Sequence, residues 1–272
     1  MDEELQTLVD DCNDPRLIRG IHNYCHRWCE RCPFTDRCSV FRQTSKYERE
    51  HPDSGPLDQV KDSLEQTMGL LAEWCKREGI DFEKLQESPA TEDDEAIAAK
   101  DLAEDILDAD PLFKAARDYG RRAFDIVKPL MAAQRVSDWS PEVRSAIDTI
   151  AWYSSFIPAK VHRAVGGQIE AQADTLDEPI LQSDWNLTAK AARMATAESI
   201  RSWKIVLEAG DAPPESPVRE LVDLLVSMET DLARRFPRAM EGVRPGFDEP
   251  EVAAGALATL DCFERRPWQR AG

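Results

Sequence analysis

Apolar residues recur at helical spacing along most of the chain, and no stretch shows the strict alternation of a half-buried strand or an internal repeat. Leu57, Val60, Leu64, Met68, Leu71, Trp74 and Cys75 mark one amphipathic helix, with Gly79 as its expected end. Asp110-Pro111 predicts a capped start for another, carrying Leu112, Ala115, Ala116, Tyr119, Ala123, Phe124 and Val127, with Pro129 expected to kink or end it. Ser140-Pro141 opens a third through Val143, Ile147, Ile150, Ala151, Tyr153, Ile157, Val161 and Val165. Pro158 is a candidate kink there and Gly166-Gly167 the expected stop. Trp185 to Leu207 is alanine-rich and apolar on two sides, which predicts a central helix. Ser216-Pro217 starts the next, with Val218, Leu221, Val222, Leu225, Met228 and Leu232 in one stripe, and a short final helix is expected through Leu257, Leu260 and Phe263.

These elements predict an all-α fold, a helical bundle of about five long helices. Ahead of the bundle, Asp2 to Cys12 can form a short helix. Asp14-Pro15 should begin a second one, through Leu17, Ile18, Ile21, Tyr24, Cys25 and Trp28. Ser45 to Pro56 reads as a linker. The expected organisation is a four-cysteine module over residues 1–50 and a bundle domain over 57–264, packed as one unit.

Charge narrows the function classes. The 272 residues carry 52 acidic and 34 basic side chains, a net charge of −18, which favours solubility and argues against nucleic acid or an anionic membrane as partner of the bulk surface. No apolar run is long enough to span a bilayer, and the start Met1-Asp2-Glu3-Glu4 lacks the features of a signal peptide. The expected location is the cytoplasm, where clustered cysteines bind metal more often than they form disulfides.

Four of the seven cysteines, Cys25, Cys29, Cys32 and Cys38, fall within fourteen residues as C-x3-C-x2-C-x5-C. Four thiolates complete a tetrahedral zinc site or hold one cubane cluster. Structural zinc sites generally use two separated C-x2-C knuckles, so this compact spacing favours a [4Fe–4S] cluster, with zinc as the alternative. A helix through Cys25 and Cys29 would put both thiols on one face. Pro33 would then break the helix and the chain would loop round to Cys38, with Val40 and Phe41 covering the site. Cys12, Cys75 and Cys262 read as ordinary buried thiols.

The run Cys29-Glu30-Arg31-Cys32-Pro33-Phe34-Thr35-Asp36-Arg37-Cys38 resembles the iron–sulfur cluster loop of the endonuclease III and adenine DNA glycosylase family. That loop ends in C-x2-C-x5-C, often with proline after the second of these cysteines. A similar ending occurs in cluster-bearing nucleases related to exonucleases of CRISPR systems. The resemblance covers about residues 25–41 and implies that Cys29, Cys32 and Cys38 ligate a [4Fe–4S] cluster, with Cys25 as the fourth ligand. The family's first cysteine would fall at His22, an alternative ligand. The chain has no glycine-rich hairpin of the helix-hairpin-helix kind and no nuclease carboxylate–lysine motif, so the resemblance carries a cofactor rather than the glycosylase reaction.

Residues 16–49 hold eight basic and three acidic side chains, +5 within an acidic chain. Arginines can hydrogen-bond and neutralise a thiolate centre. Alternatively Arg27, Arg31, Arg37 and Arg42 form a docking face for an acidic partner or for phosphates. Two further basic stripes, Lys114/Arg117/Arg121/Lys128 and Lys190/Arg193/Arg201/Lys204, read as solvated or ion-paired faces, or as groups converging on an anion. His162 is the histidine expected inside the bundle, and Trp152, Tyr153, Trp185 and Trp203 are expected packing residues, or aromatics that a redox protein uses near its cofactor. No Walker loop, dinucleotide fingerprint or nucleophile elbow occurs. The leading expectation is an iron–sulfur protein that transfers electrons to a partner protein or senses redox state. A helical binding protein with a purely structural metal staple and a nucleic-acid-processing protein stand behind it.

Overall fold

The computed structural model describes residues 14–87, 94–134, 137–173, 180–209 and 215–248. Among the described residues every regular element is helical and none is a strand. The chain divides into two compact units. One comprises residues 1–22, 29–96 and 245–272, the other Asn23–Trp28 and Ile97–Arg244. The expected helices over Asp2–Cys12 and Leu257–Phe263 lie outside the described residues.

In the first unit, α1 (Ile21–Tyr24), whose last two residues pass into the second unit, is a single turn, and α2 (Ser39–Glu50) follows the cysteine-rich loop. The expected linker is shorter than its composition suggested, because α2 runs to Glu50. Next, α3 (Pro56–Glu78) opens with proline in its first turn, while the Asp58 carboxylate accepts from Gly55 N at 2.8 Å. It ends at Gly79 in the left-handed conformation, as its sequence predicts. Its apolar stripe, however, is exposed: Leu57 is 83 % accessible and Trp74 45 %, with Val60, Leu64, Met68 and Leu71 between them. Cys75, beside this stripe, is fully buried. A short helix, α4 (Phe82–Glu87), follows.

The second unit is a helical bundle. It begins at α5 (Asp94–Ala109), most of which belongs to it. Then α6 (Pro111–Ala133) starts at Asp110, whose carboxylate accepts from Leu112 N and Phe113 N. It passes Pro129 without ending. Proline there removes one amide donor, and both Pro129 and Asp125, whose carbonyl loses it, are exposed to water. Next, α7 (Pro141–Ala173) runs through Pro158 and past Gly166-Gly167, the expected stop. Of the pair, Gly167 serves packing rather than termination: a Cβ there would sit 3.0 Å from Trp185 Cβ.

Two more helices, α8 (Asp184–Glu208, capped by Ser183) and α9 (Glu215–Arg235), complete the bundle. Here α7 packs on α6 and α8, and α9 on α6 and α8. As its two-sided pattern predicts, α8 is central and buries thirteen residues. Ile147, Ile150, Ile157, Val161, Trp203, Leu221, Leu225, Met228 and Leu232 form the core. Inside it, Tyr119 Oη meets Ser199 Oγ and accepts from Trp203 Nε1 at 3.4 Å. Burial pushes the Tyr119 phenol up to about 12. No helix of the described residues is long and apolar enough to cross a membrane.

Candidate metal centre

The loop bearing the cysteines is built on Asp14. Its carboxylate accepts from Arg16 N (2.9 Å), Arg16 Nη2 (2.6 Å) and, across the loop, Arg42 Nη1 of α2 (2.8 Å). The bonds from Arg16, then Arg42, hold this carboxyl far below the usual carboxylate range. Arg37 Nε donates to Arg16 O at 3.1 Å, and Ile18 N to Arg37 O at 3.0 Å. Phe34 is buried edge-on against Phe247, with ring centroids 5.1 Å apart. Of the four arginines expected to contact phosphates, Arg37 and Arg42 therefore bind this chain's own oxygens.

The expected helix from Asp14 to Trp28 does not form. Regular helix is confined to α1, and two backbone positions around it are left-handed, Gly20 (φ 73°) and Arg27 (φ 57°). The cause is competition for helical hydrogen bonds. In a continued helix Arg27 N would donate to Asn23 O and Trp28 N to Tyr24 O. Instead Arg27 N donates to Cys25 Sγ (3.3 Å), Trp28 N donates to His26 Nδ1 (3.0 Å), and Asn23 O accepts from Lys160 Nζ of α7 (3.0 Å). Cys25 and Cys29 accordingly do not share a helix face.

Cys29 opens a short 3-10 turn, Cys29–Arg31, with Cys32 N donating to Cys29 O at 3.1 Å. A second such turn, Thr35–Arg37, precedes Cys38, the N-cap residue of α2, whose carbonyl accepts from Arg42 N at 3.0 Å. Cys25, Cys29, Cys32 and Cys38 are all half-buried, as are His22, Val40 and Phe41.

By residue type the donor set is that of a thiolate-ligated centre: four thiols, an amide bonded to the Cys25 sulfur, and the Lys160 ammonium near Cys25. The described residues do not gather any three His, Cys, Asp or Glu side chains into a metal-holding group.

Within the second unit, the Asn23–Trp28 segment is held on α7. The Trp28 and Trp152 rings stack with centroids 5.5 Å apart and planes 18° from parallel. Trp152 Nε1 donates to His26 O at 2.6 Å. Lys160, only 8 % exposed, binds Asn23 O and lies over the Phe156 ring at 5.3 Å. Burial, followed by repulsion from Arg163, lowers the Lys160 pKa; proximity of Cys25 acts the other way. The sequence carried a signal for Lys160. It sits among Phe156, Ile157, Val161 and Ala164, so α7 carries it into its own buried stripe.

Other candidates resolve differently. His162 is exposed, edge-on to Phe113, rather than inside the bundle. The second basic stripe does not converge on an anion. Lys190 is buried and donates to Gly242 O (2.6 Å) and Met240 O (3.3 Å), Arg193 pairs with Glu229 (2.8 Å), and Arg201 pairs with Glu198. In the first stripe, Arg117 and Arg121 pair with Asp108 and Asp118. With Lys114 they line an open cleft of about 590 Å³ against Ser154, Ser155 and Pro158. A second cleft, of about 380 Å³, lies beside α2 and includes Arg42, Lys46 and Arg49.

The chain matches no protein-family model, no curated protein and no solved structure.

Proposed function

We propose that this is an iron–sulfur protein in which Cys25, Cys29, Cys32 and Cys38 hold a [4Fe–4S] cluster that transfers electrons or senses redox state. The observation that carries this reading is the confinement of four cysteines to fourteen residues of a chain with no other recognisable catalytic motif. The resemblance of residues 29–38 to the endonuclease III-type loop supports the cluster over zinc. When bound, the cluster supplies one reversible electron equivalent. The chain's part is to donate four thiolates, to hydrogen-bond sulfur through Arg27 N, and to offset negative charge with nearby cations. The module over residues 1–50 would present the centre to a partner protein in the cytoplasm.

The experiment is iron and acid-labile sulfide content, with a visible spectrum, on protein purified without oxygen. Iron and sulfide in near-equal, cluster-sized amounts, lost in Cys29→Ser, support the reading, and reversible redox titration then tests its electron-transfer part. A colourless protein with one zinc and no sulfide overturns the cluster reading in favour of a structural staple. That staple, a structural zinc or cluster on a helical binding protein, is the second reading. Nucleic-acid binding rests on the basic cleft beside α2. It predicts salt-sensitive binding weakened by Lys46→Ala and Arg49→Ala.

A further inference from the structure

We propose that α3 is a dimerisation helix, pairing its exposed apolar stripe with the same stripe of a second copy of this chain, antiparallel, as a two-helix coiled coil. Nothing in this pairing depends on the metal-centre reading.

The stripe is spaced for a partner helix. Leu57, Leu64 and Leu71 fall seven residues apart, and Val60 and Trp74 each follow a member of that series by three. These are the a and d positions of three heptads, a coiled-coil seam rather than the broader face of a helix packed on a globular core. Thr67 holds the remaining d position. Its hydroxyl donates to Ser63 O of its own helix at 2.8 Å, which leaves the methyl for an apolar neighbour. Within its own unit α3 is held by the opposite side, where the Asp62 carboxylate accepts from Tyr47 Oη of α2 at 2.8 Å. The seam from Leu57 to Trp74 runs along about 25 Å of helix.

Size and charge select a second copy as its occupant. Leu57, Val60, Leu64, Met68, Leu71 and Trp74 together expose roughly 600 Å², the top of the range for a patch on a monomer, so two copies withdraw about 1,200 Å² from water, where specific interfaces begin. A chain of net charge −18 repels its own copies unless they meet where carboxylates are absent. The seam is such a place. Between Leu57 and Trp74, the acids Asp58, Asp62, Glu65 and Glu73 all lie off the a and d positions, and the flanking e and g positions hold no carboxylate. Direction follows from the layers. A parallel pair would set Thr67 against Thr67 and Trp74 against Trp74. An antiparallel pair sets Leu57 on Trp74, Val60 on Leu71 and Leu64 on Thr67 of the other copy, so no layer is polar on both sides.

The test is sedimentation velocity of the full chain across the micromolar range. The wild type should be a dimer. Leu64→Glu, at the middle of the seam and exposed in the single chain, should raise the dimer dissociation constant by about hundredfold or more while the helical circular dichroism is unchanged. Leu57→Lys and Trp74→Glu should each weaken the dimer. The double variant should recover it, because only the antiparallel order brings the two introduced charges face to face. A wild-type monomer across that range overturns the proposal. Binding of a hydrophobic dye by that monomer would then assign the stripe to a different protein, and absence of dye binding to cover from within the chain. A dimer that Leu64→Glu leaves intact also overturns it, by placing the interface elsewhere. A double variant no tighter than the single ones overturns the antiparallel order.

Discussion

Two glycines inside the bundle should respond to the same substitution with opposite signs. At Gly120 of α6, an added Cβ would lie 2.6 Å from Ser154 O and 2.8 Å from Pro158 Cγ of α7. Ordinary carbon–oxygen contacts are about 3.3 Å or longer, so the oxygen overlap is roughly 0.7 Å. Neither neighbour can swing away. The oxygen belongs to helical backbone and the Pro158 ring is closed on its own chain. The helices must separate, and overpacking of this kind costs about 1–3 kcal/mol. Alanine returns about 1 kcal/mol of helix propensity at an interior site. With rigid atoms on both contacts the upper part of the overpacking range applies, giving a net loss of about 1–2 kcal/mol. At Gly166 of α7 the nearest atom is Leu107 Cδ2 at 3.4 Å, an ordinary contact with the movable end of a side chain. Gly166→Ala should therefore gain about 0.5–1 kcal/mol.

The predicted difference between the two variants is thus about 1.5–3 kcal/mol, worked from the same chemical change. Urea unfolding followed by tryptophan fluorescence reads it as midpoints moving in opposite directions at constant slope. If both midpoints rise, α6 and α7 do not approach as closely as described. If both fall by similar amounts, the space around Gly166 has been misread.

Two further outcomes follow from buried polar groups. The phenol of Tyr119 is raised from 10.0 to about 12 in the folded chain, so folding favours its protonated form. Its contribution is fully present below about pH 10 and is lost as pH rises toward 12. Alkaline unfolding should steepen in that window, and Tyr119→Phe should flatten it while lowering neutral-pH stability by about 1–3 kcal/mol through loss of the contacts with Ser199 and Trp203. Lys190→Met should strip the Gly242 and Met240 carbonyls of their ammonium donor. The expected cost is about 1–3 kcal/mol in thermal unfolding, and an unchanged midpoint would mean that water replaces the ammonium there.

Periodicity made the helices legible but not what covers them. The stripes of α3 and α9 look alike in sequence, yet Leu221, Leu225, Met228 and Leu232 are buried whereas Leu57, Val60 and Leu64 are exposed. A helical moment states that one face is apolar; only the tertiary neighbour decides whether that face leaves water. For a related reason Gly166-Gly167 does not stop its helix, and of the two outcomes expected at Pro129, a kink or an end, the end does not occur. A lost amide bond is inexpensive where the carbonyl meets water, and glycine in a helix can serve a close approach. Lys190 was placed on a polar stripe by its neighbours' charge, although the carbonyls that bury it lie about fifty residues away in sequence. At the candidate site, the cysteine spacing was legible because ligands are local in sequence. The contacts of Lys160 and Trp152 with Asn23 and His26 were not legible, because they cross more than 120 residues.

The failure of the expected helix around Cys25 has a chemical consequence. An α-helix would align Cys25 and Cys29 but would spend every intervening amide on a carbonyl, leaving none for sulfur. Local propensity favours that helix, since Leu17, Ile18, Ile21, Tyr24 and Trp28 all keep its period. What opposes it is long-range: Lys160 and Trp152 draw two carbonyls to α7, and Trp28 leaves the helix axis to stack on Trp152. The released amide of Arg27 then turns to Cys25 Sγ. The sulfur of Cys25 thereby gains a backbone donor that a continued helix would have withheld. Within this unit α7 therefore decides which backbone amide remains for the sulfur of Cys25, and a substitution at Lys160 or Trp152 can alter the Asn23–Trp28 segment without touching any of its residues.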